Sequence, residues 1–272
     1  MLTIRDLVKR YGRGDPVLHE LNLSVTGRQV TAVIGSSGAG KSTLLRCVNR
    51  LVEPTSGSIE LNGTELTTLK GAELRNARRR IGMVFQSFNL LDRLTVMENV
   101  LAGRPGTVGF WRAYARRFPQ QDVDRAYELL VRVGLDRYVN QRADALSGGE
   151  RQRVGVVRAL MQRPEIMLAD EPTASLDPKT GAEIMRLLRA LASELELPIL
   201  INSHNVEQAK AFADRIVGLR HGRIVFDGRP DELDATAFDA IYGGDEEAPE
   251  EGGEGNDVSE ADAPDAREAG TA

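Results

Sequence analysis

The chain has 272 residues, 41% of them hydrophobic, enough for a sizeable buried core in one large domain or two small ones. No apolar run approaches the roughly 18 to 20 residues of a membrane-spanning helix, and Met1 to Arg10 lacks a signal-peptide core, which argues against bilayer insertion and secretion. The formal charge of −5 is unevenly divided: Asp245 to Ala272 holds eleven acids against Arg267, and the remaining body at +5 is too mildly basic to suggest nucleic acid.

In chain order, β-rich runs open the sequence at Leu2 to Ile4, Leu18 to Val25 and Val30 to Ile34, the last ending in a glycine cluster. Lys41 to Leu51 reads as a helix carrying the single cysteine, Cys47, among leucines, so a buried inert thiol in a reducing cytoplasm is expected. Further strands are predicted at Ile59 to Leu61, Ile81 to Phe85, Ile166 to Ala169 and Ile199 to Asn202, and at the pair Ile216 to Leu219 and Ile224 to Phe226. That pair flanks a hairpin signal, His221-Gly222. Helical periodicity is clearest at Ile184, Leu187, Leu188 and Leu191, and around Val123, Ala126, Tyr127 and Leu130 before Gly134. Little strand signal lies between Ser87 and Arg153, which predicts a helical insertion, at about 87–155, in an alternating α/β chain with a parallel sheet covered on both faces. Arg75, Arg78, Arg79 and Arg80 read as a solvated helix end. Trp111, beside Phe110 and Arg112, fits either a partner contact or the core of the insertion. From Gly243 onward the acidic, apolar-poor composition predicts a disordered tail, leaving residues 1–242 as the folded body.

The chemistry starts at Gly35-Ser36-Ser37-Gly38-Ala39-Gly40-Lys41-Ser42, which fits GxxxxGK[ST] directly after an apolar strand and before a helix. Glycines let backbone N–H groups turn inward and the helix N-terminus adds positive potential. Lys41 reaches terminal phosphates and Ser42 can ligate Mg²⁺. Ile166 to Glu171 is an apolar strand ending in two acids, where ligands gather in an open α/β sheet. Asp170 suits Mg²⁺ and Glu171 a general base for the attacking water.

Ala145-Leu-Ser-Gly-Gly-Glu-Arg-Gln-Arg-Val154 then identifies the family: the chain resembles the ATP-binding cassette ATPases, Ser147, Gly148, Gly149 and Glu150 matching their signature motif, with Glu150 where the family usually has Gln. The resemblance spans roughly Leu2 to Leu233. It implies an α/β P-loop NTPase core with a mostly parallel sheet, an N-terminal antiparallel β subdomain and an inserted α-helical subdomain. Several roles follow from it. Gln86, in Phe85-Gln86-Ser87, would contact Mg²⁺ and the water and sense the membrane partner. Asp177 would cross a dimer interface, and His204 would hydrogen-bond the γ-phosphate. Tyr11 would stack on adenine. ATP would lie between two copies of the chain, held by Gly35 to Thr43 of one and the signature of the other.

The same resemblance bears on partners. Ser147 follows Gly35 by 112 positions, too few for the coiled coil of chromosome-handling and break-repair relatives, and one motif set disfavours the translation-associated ones. A permease-coupled ATPase is implied, peripheral on the cytoplasmic face of the membrane, with an external solute-binding protein as indirect partner and no nucleic acid. Gln86 to Leu101 resembles importers of small polar solutes, and Phe88, Leu90 and Leu91 are expected to dock the permease. Gly106 to Arg112 and Ser203 to Ala209 look most like phosphonate importer ATPases. A polar amino acid or methionine importer is the nearest alternative, and a cell-division or lipoprotein-release cassette the alternative of another class.

Overall fold

A computed structural model describes residues 1–104 and 118–243. The acidic tail and the segment holding Trp111 lie outside them, as does the whole of the family marker Gly106 to Arg112.

Among the described residues, ten strands form two sheets. The first is antiparallel, in the order β2 (Pro16–Val25), β1 (Leu2–Arg10), β4 (Ser56–Leu61), β5 (Thr64–Glu65). The second runs β10 (Arg223–Gly228), β9 (Arg215–Arg220), β3 (Val30–Ile34), β8 (Ile199–Asn202), β7 (Ile166–Asp170), β6 (Ile81–Val84), with every neighbour parallel except the β9–β10 hairpin. The five parallel strands are near-continuous apolar runs because both their faces are covered. On one face, Leu2, Ile4, Leu21, Ile59 and Leu61 of the antiparallel sheet pack with Leu44 and Leu45 of α1 (Lys41–Val48) and with Val33, Leu168 and Leu200. On the other, α5 (Gly148–Leu160) and α6 (Pro178–Glu194) bury Val154, Val157, Ile184 and Leu188 against Ala32, Ala169 and Ile201. The remaining helices are α2 (Gly71–Arg78), α3 (Val96–Leu101), α4 (Gln120–Arg132), α7 (Val206–Phe212) and α8 (Ala235–Tyr242). Between β6 and β7 the described chain is helical apart from loops and one bridge, Thr95 with Arg142, in keeping with an inserted helical region.

Three local expectations change. The helix from Lys41 stops at Val48, three residues short of the expected Leu51, with Asn49 as its cap and Arg50 in a left-handed conformation. In α4 the buried stripe is Ala126, Leu129 and Leu130, while Tyr127 faces solvent. Arg78 and Arg80 are not a solvated helix end. Arg78 donates to the carbonyls of Asn49 and Arg50, and Arg80 forms a two-pronged pair with Glu165 at 2.6 and 2.8 Å, tying α2 and β6 to neighbouring elements.

Candidate functional site

The loop from Gly35 to Gly40 leaves the carboxy end of β3 and delivers Lys41 as the first residue of α1. Its backbone admits no side chain at the first position: Gly35 has φ 150°, and a Cβ there would lie 2.0 Å from the carbonyl oxygen of Leu219 on β9. The tip is held by Ala39, whose N–H donates to Ser36 and whose carbonyl accepts from Gly222 in the β9–β10 turn. Lys41 is buried, and its ammonium turns back into the loop, donating to the carbonyls of Gly35 at 2.7 Å and Ser36 at 2.8 Å. Burial lowers its pKa, and the nearby carboxylates of Glu171 and Asp170 oppose that shift.

Two acids close the other side. Asp170 ends β7, and its Oδ1 accepts from the Ser42 hydroxyl at 2.9 Å and from the Asn202 amide at 2.6 Å, while its Oδ2 lies 3.8 Å from Arg46. Glu171 follows in a left-handed conformation, φ 48°, with its N–H donating to the carbonyl of Asn202. That turn aims its carboxylate at Nδ1 of His204, 3.4 Å away and two residues past the end of β8. Ser37, Gly38, Ala39, Gly40, Lys41, Ser42, Thr43, Glu171 and His204, with Val17, line one cavity of about 500 Å³. Loop backbone, a buried ammonium, a hydroxyl and one acid around one space, with Asp170 hydrogen-bonded behind Ser42, suit a polyphosphate and a hard cation. Among the described residues no cluster of three or more His, Cys, Asp or Glu could hold a metal by protein ligands alone. Asp170 and Ser42 could hold Mg²⁺, which takes one or two carboxylates plus phosphate oxygens and keeps several waters.

The other sequence-derived residues lie outside this cavity. Tyr11 is exposed, with the Lys9 ammonium 4.7 Å from its ring centroid. Gln86 is exposed in the turn after β6, just before two left-handed residues, Phe88 and Asn89, whose carbonyls accept from Arg158. Ser147 caps α5 in a capping box: its N–H and hydroxyl both donate to Glu150 at 2.8 Å, and its oxygen accepts from the Glu150 N–H. These donors, with Tyr138, hold the Glu150 carboxyl below its usual range even though its burial opposes the shift. A Cβ on Gly149 would sit 2.4 Å from Thr180 and one on Gly148 2.9 Å from Leu176, so the glycines let the signature turn lie directly on the loop around Asp177. Asp177 caps α6, accepting from the Thr180 N–H at 3.1 Å. Sequence reasoning missed Asn202, whose amide bridges Ser42 and Asp170; the signal was there as a polar residue ending the apolar run Ile199 to Ile201 at the carboxy edge of the sheet.

Comparison with known proteins agrees with this geometry. The ABC transporter family model matches residues 18–174. A phosphonates import ATP-binding protein of Ruegeria sp. (strain TM1040) is 70% identical over 244 residues, 90% of this chain and 95% of that protein. Another phosphonates import ATP-binding protein, from Synechococcus sp. (strain JA-2-3B'a(2-13)), is 60% identical over 89% of this chain and 90% of its own length. Among solved structures, a dimeric ATP-binding cassette in a post-hydrolysis state bound to ADP and Pi superposes with a TM-score of 0.71 at 34% identity, covering 85% of this chain and 99% of that one. With the family model matched over more than half of its length and a relative 70% identical over nearly all of it, the chain belongs to the ABC transporter family as one of its ATP-binding cassettes.

Proposed function

We propose that this chain is the ATP-hydrolysing subunit that powers phosphonate import through a separate membrane permease. It would sit on the cytoplasmic face of the membrane, with an external solute-binding protein delivering the cargo to that permease. The observation that carries the solute class is the 70% identity to a phosphonates import ATP-binding protein over nearly the whole of both chains. No helix of the described residues is long and apolar enough to cross a membrane, so a transport role for them calls for a membrane partner.

In this reading the Gly35 to Thr43 loop wraps the phosphates of ATP, with N–H groups directed inward and the Lys41 ammonium released from the loop carbonyls to the β- and γ-phosphates. Ser42 and Asp170 would hold Mg²⁺, with Gln86 as a further contact, and the ion would supply charge neutralisation to the phosphates. Glu171 takes a proton from water as the water oxygen bonds to the γ-phosphorus and the bond to the β-phosphate oxygen breaks, giving ADP and phosphate. The 3.4 Å contact between Glu171 and His204 supports their joint role, the imidazole donating a hydrogen bond to the γ-phosphate. Tyr11 stacks on adenine, and Asp177 with Ser147 to Glu150 of a second copy closes over the nucleotide. The dimeric state of the superposable cassette supports that arrangement.

The solute assignment is tested by deleting the gene and supplying one phosphorus source at a time. Growth on a phosphonate is expected to fail while growth on inorganic phosphate persists, with rescue by the wild-type chain and not by Glu171→Gln. Normal phosphonate uptake in the deletion strain, or loss of amino acid uptake instead, overturns the assignment.

A further inference from the structure

We propose that Asn202 is a positioning residue for the magnesium site, its amide holding the Asp170 carboxylate and the Ser42 hydroxyl in the arrangement that receives the ion. The inference rests on the reading that Ser42 and Asp170 bind Mg²⁺.

Asn202 is the last residue of β8 and is fully buried. Its Nδ2 donates inside the site, to Ser42 Oγ at 2.9 Å and to Asp170 Oδ1 at 2.6 Å. Ser42 donates to the same Oδ1 at 2.9 Å, which closes a triangle between α1, β7 and β8. Asp170 Oδ1 thus accepts two hydrogen bonds and the carboxylate cannot rotate about its last bond without breaking both. The amide orientation is fixed by charge: turning it over would set its oxygen against the carboxylate. The cost of this arrangement is visible at the other end of the same side chain, where Asn202 Oδ1 is buried with no hydrogen-bond partner among the described residues. The three preceding residues, Ile199, Leu200 and Ile201, are apolar and buried, and an apolar side chain at 202 would fill its space without that penalty. A buried amide with one half unsatisfied fits a residue retained for what its other half orients, as metal ligands are oriented by groups one shell out.

The test separates metal binding from nucleotide binding in the full-length protein. Mn²⁺ affinity of the ATP-loaded chain, read by electron paramagnetic resonance, and ATP affinity in excess EDTA are measured for Asn202→Val, Asn202→Ala and Asp170→Asn, with thermal melting to establish that each is folded. Both Asn202 variants are expected to bind Mn²⁺ about 10- to 100-fold more weakly, the usual range for losing an orienting partner, while ATP affinity in EDTA stays within about twofold of wild type. Using two variants keeps the comparison available if one of them does not fold. Unchanged Mn²⁺ affinity in the Asn202 variants, with Asp170→Asn impaired, overturns the proposal alone. An equal fall in ATP affinity without metal also overturns it, because Asn202 would then shape the loop. Unchanged Mn²⁺ affinity in Asp170→Asn overturns the magnesium reading itself.

Discussion

Glu171 occupies a left-handed backbone conformation that costs a residue with a Cβ about 1 to 2 kcal/mol, and it does so at the one place where the strain turns a carboxylate out of β7 toward His204. Glu171→Gln keeps the shape and the turn but loses the basicity. It is expected to retain ATP affinity while single-turnover hydrolysis falls by about 10² to 10⁴. Lys41→Ala removes the buried ammonium instead, and equilibrium ATP affinity is expected to fall about 10- to 100-fold, the scale of a lost charge-assisted hydrogen bond. A Glu171→Gln protein that turns over ATP at the wild-type rate would shift attention to Gln86 and His204. At this scale the sequence was most readable where one short segment carries the whole meaning, as in Gly35 to Ser42. Asn202 escaped notice because its role exists only through Ser42 and Asp170, which lie 160 and 32 positions away in the chain.

Two helices of the helical region begin with the same device. Thr95 with Glu98 caps α3 and Ser147 with Glu150 caps α5, each side chain accepting from the other residue's backbone N–H. Local chemistry therefore predicts equal effects on stability, and Thr95→Ala and Ser147→Ala are each expected to cost about 1 kcal/mol in chemical denaturation. Activity should part them. Ser147 also presents its hydroxyl on the turn proposed to face the second nucleotide, so only Ser147→Ala is expected to lower ATP turnover beyond what its stability explains. Equal turnover in the two variants would reduce the signature turn to a helix cap. Periodicity located α6 well because Ile184, Leu188 and Leu191 do lie on one buried face. In α4 it chose Tyr127 over Leu129, since an amphipathic tyrosine and a leucine score alike as apolar while only packing decides which one is covered. The arginines after α2 were misread for a related reason: their partners, Glu165 and the carbonyls of Asn49 and Arg50, are remote in sequence.

Across the whole molecule, the two hydrophobic cores lie on opposite faces of one sheet, and in the segment after β6 Leu91 stands outside both, 56% exposed. Its segment is rigid, because the fully buried Asn99 accepts from the Leu91 N–H and donates to the carbonyls of Leu91 and Leu94. A fixed, exposed leucine near Gln86 suits a partner surface better than Leu90, which already packs on the core. Leu91→Glu is expected to weaken association with the permease about tenfold and to lower solute uptake, with ATP affinity unchanged. Normal uptake by that variant would remove this surface from the docking site. Cys47, the sole cysteine, is fully buried and its thiol is pushed up to about 11 by burial, so it takes no part in any of these steps.

The contact between the phosphate loop and the β9–β10 turn bears on how the protein is made. Gly35 lies against the Leu219 carbonyl and Ala39 accepts from the Gly222 N–H, so the loop that emerges early from the ribosome is shaped by residues translated near the end. β3, which launches the loop, pairs on both sides with strands, β8 and β9, that are synthesised later still than the helical region. A stalled nascent chain ending at residue 200 is expected not to retain ATP in a pull-down, whereas one stalled with residue 243 clear of the exit tunnel should. On that expectation the nucleotide arrives too late to guide early folding, and until β8 and β9 are made the apolar edges of β3 have no strand to pair with.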